Sequence, residues 1–441
     1  MDQLVYWIWL SLACTPGSYS FADLISKFPD AEAIYDATDR QIRSAINPKI
    51  SDCSALYDKD LTKAEEIYNF CKTKGVGIVT YNDDDFPYLL RRIPNPPVLL
   101  YYRGTIPKLK GNFKCAIVGT RTISSYGRKN AFAISYDFAF FRGIVVSGMA
   151  KGIDGIALAA AIEAGGSVIA VLGSGIDVCY PSEHLTLARE IVKHGVIFTE
   201  YPPGTKPLRR NFPTRNRLIS GICDATLVVE AGAESGALIT GYRALDQGRI
   251  LFAVPGRVDN DASNGTNYLI KRGARVCMDV YDIMEDFHPP YVPGVFDVQN
   301  YKELKRPKNY MDVLAKYRVV CNVPDDPVFT PSGRKMKPQD QTLPEPPNEK
   351  AESASEKEKI PYESIEPPSP VVKEKKPTTF PYKAEQYVLY KDIPFEGDIA
   401  IEDLVNEKRD LKKVMNMLLK LELCEFVEIL PGDRVRRKFH G

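Results

Sequence analysis

Nowhere in the 441 residues does a C-x-x-C pair occur, and the nine cysteines lie scattered, several of them in apolar runs such as those around Cys115 and Cys277. The four histidines, at 184, 194, 288 and 440, keep no metal-ligand spacing, which argues against structural zinc. An odd number of cysteines in apolar surroundings fits reduced core thiols in a reducing compartment. No apolar run is long enough to cross a bilayer. The longest near the start, 4–13, is too short and is preceded by Asp2 rather than Lys or Arg, so it reads as a buried helix, and the cytoplasm is the expected location. Net charge is lacking as well, at +1. That excludes a chain that coats polyanions with its whole surface, and any nucleic-acid site has to be a patch.

Such a patch is present. Between Lys206 and Arg217 five cations and one phenylalanine, Phe212, fall within twelve residues that contain no carboxylate. Prolines keep the first half extended, and Pro213 with Thr214 reads as a loop delivering the chain into a short helix over 215–222. Planar guanidinium groups beside an aromatic face suit phosphates and stacked bases, the combination that single-stranded nucleic acid offers. A solvated basic loop is the plainer reading of the same residues.

The length predicts two or three domains of about 150 residues each. Residues 1–75 read as a helical domain, with Leu4, Ile8 and Leu12 at helical spacing and a break at Thr15-Pro16-Gly17. Over 76–287 apolar strands alternate with helices. Strands are expected at 115–118, 144–146, 168–172, 196–198, 226–229, 250–254 and 274–277, and a strand at 98–102 leads into them. This pattern means a mostly parallel sheet covered on both faces, a Rossmann-like doubly wound α/β domain. Residues 288–382 gather Pro, Lys, Glu and Ser and read as a linker. Order returns over 383–441, with helices at 401–407 and 410–421 and then a hairpin, the sequence of elements in a winged helix. Its second helix mixes Lys412, Lys413 and Lys420 with Leu and Met, which fits protein contact as well as groove reading.

In open sheets of this kind ligands bind beyond the carboxyl ends of the strands. There the chain places Gly119-Thr-Arg121, the 147–154 loop with Lys151, Gly173-Ser174-Gly175, the basic run, and the glycine-rich 230–236. Glycines let a backbone approach a ligand, and the helix N-termini behind them offer N–H groups to phosphate. Neither G-x-G-x-x-G after the first strand nor G-x-x-x-x-G-K-[ST] occurs, so dinucleotide binding and ATP hydrolysis have no motif. Asp154 and Glu230 stand at strand ends where a catalytic carboxylate would act, yet neither has a His, Cys or metal ligand nearby in sequence. Asp154 is expected to cap the following helix and Glu230 to hold the basic loop. No catalytic residue, cofactor or metal is assigned.

Taken together the motifs resemble one family. Ala116-Ile-Val-Gly-Thr-Arg121, Ser147-Gly-Met-Ala-Lys-Gly-Ile-Asp154, Ile169-Ala-Val-Leu-Gly-Ser-Gly-Ile-Asp177 with Tyr180-Pro181, Asn211-Phe-Pro-Thr-Arg-Asn-Arg-Leu-Ile-Ser-Gly221 and Phe252-Ala-Val-Pro-Gly256 are similar to the DNA-processing protein A (DprA/Smf) family of bacterial recombination mediators, over about 80–285. The resemblance implies an N-terminal helical (SAM/HhH-like) domain and a C-terminal winged-helix domain around the Rossmann-like core. It implies a non-enzymatic protein that binds single-stranded DNA, loads RecA recombinase onto it and serves natural transformation. A homodimer and single-strand-binding protein are its further expected partners. Carried over by motif, Arg121 would grip a phosphate, Gly173, Ser174 and Gly175 would offer backbone N–H groups, Arg209 would add a cation, and Phe212 would pack on a base or sugar. Lys151 joins the DNA-binding set. Arg215 and Arg217 would support the pocket from their helix, an internal ion pair being the alternative for one of them. Leu158 and His184 depart from the family, which often has His and Asn there. Two other readings of the fold stay open: a nucleotide hydrolase resembling the cytokinin-activating phosphoribohydrolases, and a small-nucleotide sensor.

Overall fold

The computed structural model describes residues 2–46, 54–285 and 305–321, together with 393, 399–404, 414, 418, 427–430 and 434–437. It divides into two units, 1–343 and 344–441. The first opens with helices α1 (Gln3–Ala13), α2 (Ser20–Ile25), α3 (Ala31–Asp36), α4 (Asp39–Ala45) and α5 (Thr62–Lys74). Short polar side chains start three of them: Asp2 accepts from Leu4 N–H, Asp30 from Ala33 N–H, and Thr38 with Gln41 forms a reciprocal capping box. The apolar run at the start is α1, whose Trp7, Ile8, Trp9 and Leu10 are all buried, as a helix enclosed by its neighbours requires.

One nine-stranded sheet follows, in the order β1-β2-β6-β5-β4-β3-β7-β8-β9. Its strands are β1 (Gly77–Thr80), β2 (Leu99–Gly104), β3 (Lys114–Val118), β4 (Ile144–Ser147), β5 (Val168–Val171), β6 (Gly195–Thr199), β7 (Ala225–Val228), β8 (Ile250–Ala253) and β9 (Arg275–Val276). From β6 across to β9 every pair is parallel, and the strand order reverses between β3 and β7. Strands β3 to β7 are buried at every position, which is why they read as unbroken apolar runs. Alternate residues serve opposite faces: Cys115, Ile117 and Val145 join one core, Ala116, Val118 and Val146 the other. Against the first face lie α6 (Ser125–Phe140), α7 (Ile153–Glu163) and α8 (Leu185–His194); against the second lie α9 (Asn211–Ile222), α10 (Gly236–Asp246) and α11 (Asn264–Lys271). The short α12 (Val280–Met284) returns to the first face.

Two stretches differ from the sequence-based expectation. The 98–102 strand does not merely lead into the domain. As β2 it pairs antiparallel with β6, Tyr101 opposite Thr199, and β1 pairs antiparallel with it to widen the sheet. Within the span read as linker, residues 305–321 are folded, with a helix α13 (Tyr310–Lys316) that buries Val313 and Leu314. Its apolar positions, 310, 313, 314 and 317, keep helical spacing, but the Pro- and Lys-rich flanks dominate any compositional reading.

The second unit contains a three-stranded antiparallel sheet in the order β10 (Ile399–Ala400), β12 (Arg434–Arg437), β11 (Val427–Leu430). The expected hairpin is therefore present, with Leu430 opposite Arg434. A 3-10 turn occupies Ile401–Leu404, where a helix was expected, and most of 410–421 lies outside the described residues. Among the described residues no helix is long and apolar enough to cross a membrane.

Candidate nucleic-acid interface

The basic run is partly helix. α9 begins at Asn211, so Phe212 and Pro213 sit in its first turn rather than in a loop ahead of it. Proline is tolerated there because first-turn N–H groups have no acceptor within the helix. The preceding segment is tied to the loop after β5. Asn211 Nδ2 donates to the Gly173 carbonyl (3.0 Å), Gly175 N–H to the Thr205 carbonyl (2.9 Å), and Gly204 N–H to Asp177 Oδ1 (2.8 Å). Phe212 is thereby presented from a fixed helix end.

Around Phe212 the carboxyl-end loops converge. A Cβ at Gly173 would stand 3.2 Å from the ring, so glycine allows the close approach. The ring of Tyr180 lies 5.4 Å away, centroid to centroid, tilted by 47°, and is 41% exposed. The Arg121 guanidinium, from the turn after β3, sits 5.6 Å from the Phe212 centroid, within cation–π range. Arg121, Lys206, Arg209 and Arg210 are all exposed. Two aromatic faces bordered by exposed cations can stack bases and pair with the phosphates between them. Tyr180 was not singled out from sequence; its only signal was its place beside Pro181 at the end of the β5 motif.

Arg215 and Arg217 are buried beneath the rim, each 3% exposed. Arg217 forks onto Glu200 at 2.6 and 2.5 Å and donates to the Asn95 carbonyl (2.5 Å), an internal ion pair. Arg215 donates to the carbonyls of Gly148 (2.8 Å) and Val171, and its guanidinium is 5.7 Å from the Phe212 centroid. Burial pulls its pKa down to about 10, against the attraction of Asp154. Asp154 accepts from Gly148 N–H (3.1 Å); burial raises its pKa, opposed by Arg215 and by the backbone N–H groups. The two charges thus hold Gly148 between them. Asp154 does not cap α7; that position belongs to Gly152, whose φ of 80° and close approach to the Thr120 carbonyl exclude a side chain.

The remaining sequence assignments divide. Lys151 pairs with Glu183 at 2.6 Å on the surface. Gly173, Ser174 and Gly175 are buried; Ser174 Oγ donates to the Val178 carbonyl, and the Gly175 N–H expected to face a phosphate is used internally. Glu230 does not hold the basic loop. It is 2% exposed and accepts from the N–H (2.9 Å) and hydroxyl of Ser124, the residue that caps α6.

A family model described as DNA recombination-mediator protein A matches residues 77–288. The DNA processing protein DprA of Bacillus subtilis is 38% identical over 215 residues, covering 49% of this chain and 72% of that protein. DprA of Streptococcus pneumoniae is 40% identical over 205 residues, 46% of this chain and 72% of its own length. The X-ray structure of the S. pneumoniae protein aligns with a TM-score of 0.57 at 30% identity, covering 65% of this chain and 99% of that one.

Proposed function

The chain belongs to the DNA recombination-mediator protein A family, and from that premise we propose that it binds single-stranded DNA along the rim formed by Arg121, Tyr180, Arg209 and Phe212. The observation that carries this reading is the half-open pair of rings, Phe212 and Tyr180, set beside the exposed Arg121 at the carboxyl edge of the sheet. Duplex DNA hides its base faces, whereas a single strand offers both faces and phosphates together. In this reading the role is binding rather than catalysis, which is supported by the engagement of both Glu230 oxygens by Ser124 and of Asp154 Oδ2 by Gly148 N–H. In this reading Arg215 and Arg217 shape the site from below, and Lys151 flanks it.

From the bound strand the protein loads RecA, acting as a homodimer in the cytoplasm in natural transformation and exchanging with single-strand-binding protein. The α1–α5 helices form the SAM/HhH-like domain over 1–75, the sheet domain covers 76–287, and the 383–441 region is a winged helix with the β11–β12 hairpin as its wing. Sedimentation at several concentrations tests the dimer, and the lag of RecA filament assembly on a coated single strand tests loading.

Binding itself is tested with a fluorescent oligo-dT and the matching duplex over a salt series. The single strand is expected to be preferred. Phe212→Ala should weaken it by about 1–3 kcal/mol with the salt slope unchanged. Arg121→Ala or Arg209→Ala should each flatten the slope by about 0.7, one phosphate's worth of released counterion. Equal binding of duplex, or unchanged affinity in the Arg209→Ala and Phe212→Ala double variant, would put the site elsewhere.

A further inference from the structure

Residues 305–321 lie beyond the 77–288 family match, yet they are built into the back of the rim. Arg306 forks onto Asp137, which is itself buried in α6, and Tyr310 packs 5.4 Å from the Phe132 ring. Lys316 Nζ and the Tyr317 hydroxyl converge on Glu163 of α7 at 2.7 and 2.8 Å. The chain then turns at Arg318, with φ of 51°, and crosses the N-terminal end of α7. There the Val320 carbonyl accepts from Gly152 N–H (3.0 Å), and Val320 N–H donates to His184 Nε2 (2.9 Å). Nδ1 of His184 therefore carries the proton and donates to the Met149 carbonyl at 3.0 Å. Met149 itself holds φ of 55°, a left-handed conformation that a non-glycine residue keeps only where its surroundings impose it.

We propose that residues 305–321 are a clasp that sets the shape of the 148–153 loop through Gly152 and His184, so that Val320 and His184 are positioning residues of the nucleic-acid site. The inference rests on the single-strand reading of that site. Direct contacts run from the clasp to the aromatic platform: Val320 to His184, His184 to Met149, the adjoining Gly148 to Arg215, and Arg215 to Phe212. One side of the loop is fixed by Arg215 and Asp154, the other by the clasp. With the clasp undocked, Gly152 N–H loses the Val320 carbonyl, and His184 loses the donor that fixes the ring tautomer donating to Met149, so the carbonyl of the adjoining Gly148, on which Arg215 rests, becomes free to move.

The test uses the full chain with two substitutions. Leu314→Asp undocks α13, and Val320→Pro leaves α13 intact while removing the N–H given to His184. Amide hydrogen exchange over 148–156 and oligo-dT affinity are read together. Exchange there is expected to rise in both variants while amides of β3 and β5 keep their protection, and affinity to fall about 2- to 30-fold with an unchanged salt slope. His184→Gln, whose amide can accept from Val320 and donate to Met149, should restore affinity relative to His184→Leu. Unchanged exchange over 148–156 overturns the clasp, and raised exchange with unchanged affinity overturns its positioning role. If Leu314→Asp fails to fold, Val320→Pro decides. Should the unsubstituted chain not bind oligo-dT at all, the single-strand reading fails, while the exchange measurement still decides whether the clasp holds the loop.

Discussion

Arg215 and Arg217 stand six and eight positions after Arg209, and the three arginines have unlike roles. Arg209 is exposed, whereas Arg217 and Glu200 form a forked pair almost sealed from water. Removing one partner of such a pair strands the other charge, so Arg217→Ala should cost about 3–5 kcal/mol in urea unfolding. Arg209→Ala should stay within about 0.5 kcal/mol of the unsubstituted chain while losing DNA affinity. Equal stability of the two variants would mean that the Arg217 pair is not what fixes α9. Composition could not separate these arginines, because burial is decided by Glu200 and Asn95 for Arg217 and by Gly148 and Val171 for Arg215, all distant in sequence. His184 gives a second residue-level test. Burial lowers its pKa, opposed by the Met149 carbonyl and Glu183, with Lys151 adding to the lowering. In the window below the ordinary value of about 6.5 the unfolded chain takes up a proton that the folded chain refuses, so stability is lost as pH falls through it. Lys151 and Glu183 are the charged groups that face the ring, and they remain in His184→Gln. That variant should lose less melting temperature between about pH 7.5 and about pH 5.5 than the unsubstituted chain. An identical loss would exclude His184 as the titrating group.

The parallel strands were readable because burial on both faces leaves apolar runs such as Cys115-Ala-Ile-Val118, a signal that needs no knowledge of neighbours. β1 was not readable: it is four residues long and belongs to the sheet only through β2. The start of α9 was misplaced because Pro213 reads as a breaker, whereas in a first turn it removes a donor that has no acceptor. The α13 pattern was visible but diluted by its flanks. The rim was legible through its loops, and Tyr180 was not, since its ring meets Phe212 from 32 positions earlier in the chain, a gap that only the fold closes. Nor could sequence show that the turn between α1 and α2 meets α9. Gly17 in that turn has φ of 84°, and a Cβ there would stand 2.7 Å from the Thr214 methyl group. Asn95 Nδ2 ties the Gly17 carbonyl to the segment that Arg217 also grips. Gly17→Val combines a disfavoured backbone with a collision, and should cost more than about 1 kcal/mol in urea unfolding. No loss of stability would show that the turn and α9 move independently.

Every residue assigned to the rim, and every residue of the clasp, falls within the first unit, 1–343, whereas the β10–β12 sheet belongs to the second. Grip on single-stranded DNA should therefore reside in the first unit alone. The second unit nevertheless carries Arg434, Arg436 and Arg437 in β12, and three cations are enough to add phosphate contacts. The salt dependence of binding separates these possibilities, because each neutralised phosphate of a single strand contributes about −0.7 to the slope of log affinity against log salt. A chain ending at Leu343 is expected to keep both the affinity and the slope of the full chain for a short oligo-dT. Engagement of all three β12 arginines would instead make the full chain's slope steeper by about 2, and truncation would flatten it by that amount. A chain ending at residue 304 differs from one ending at 321 in lacking the clasp, and should lose affinity without a change of slope. Affinity reports how well Phe212 and its loops are held, and slope counts the phosphates, so the truncations assign the second unit and the clasp to different terms of the same binding energy.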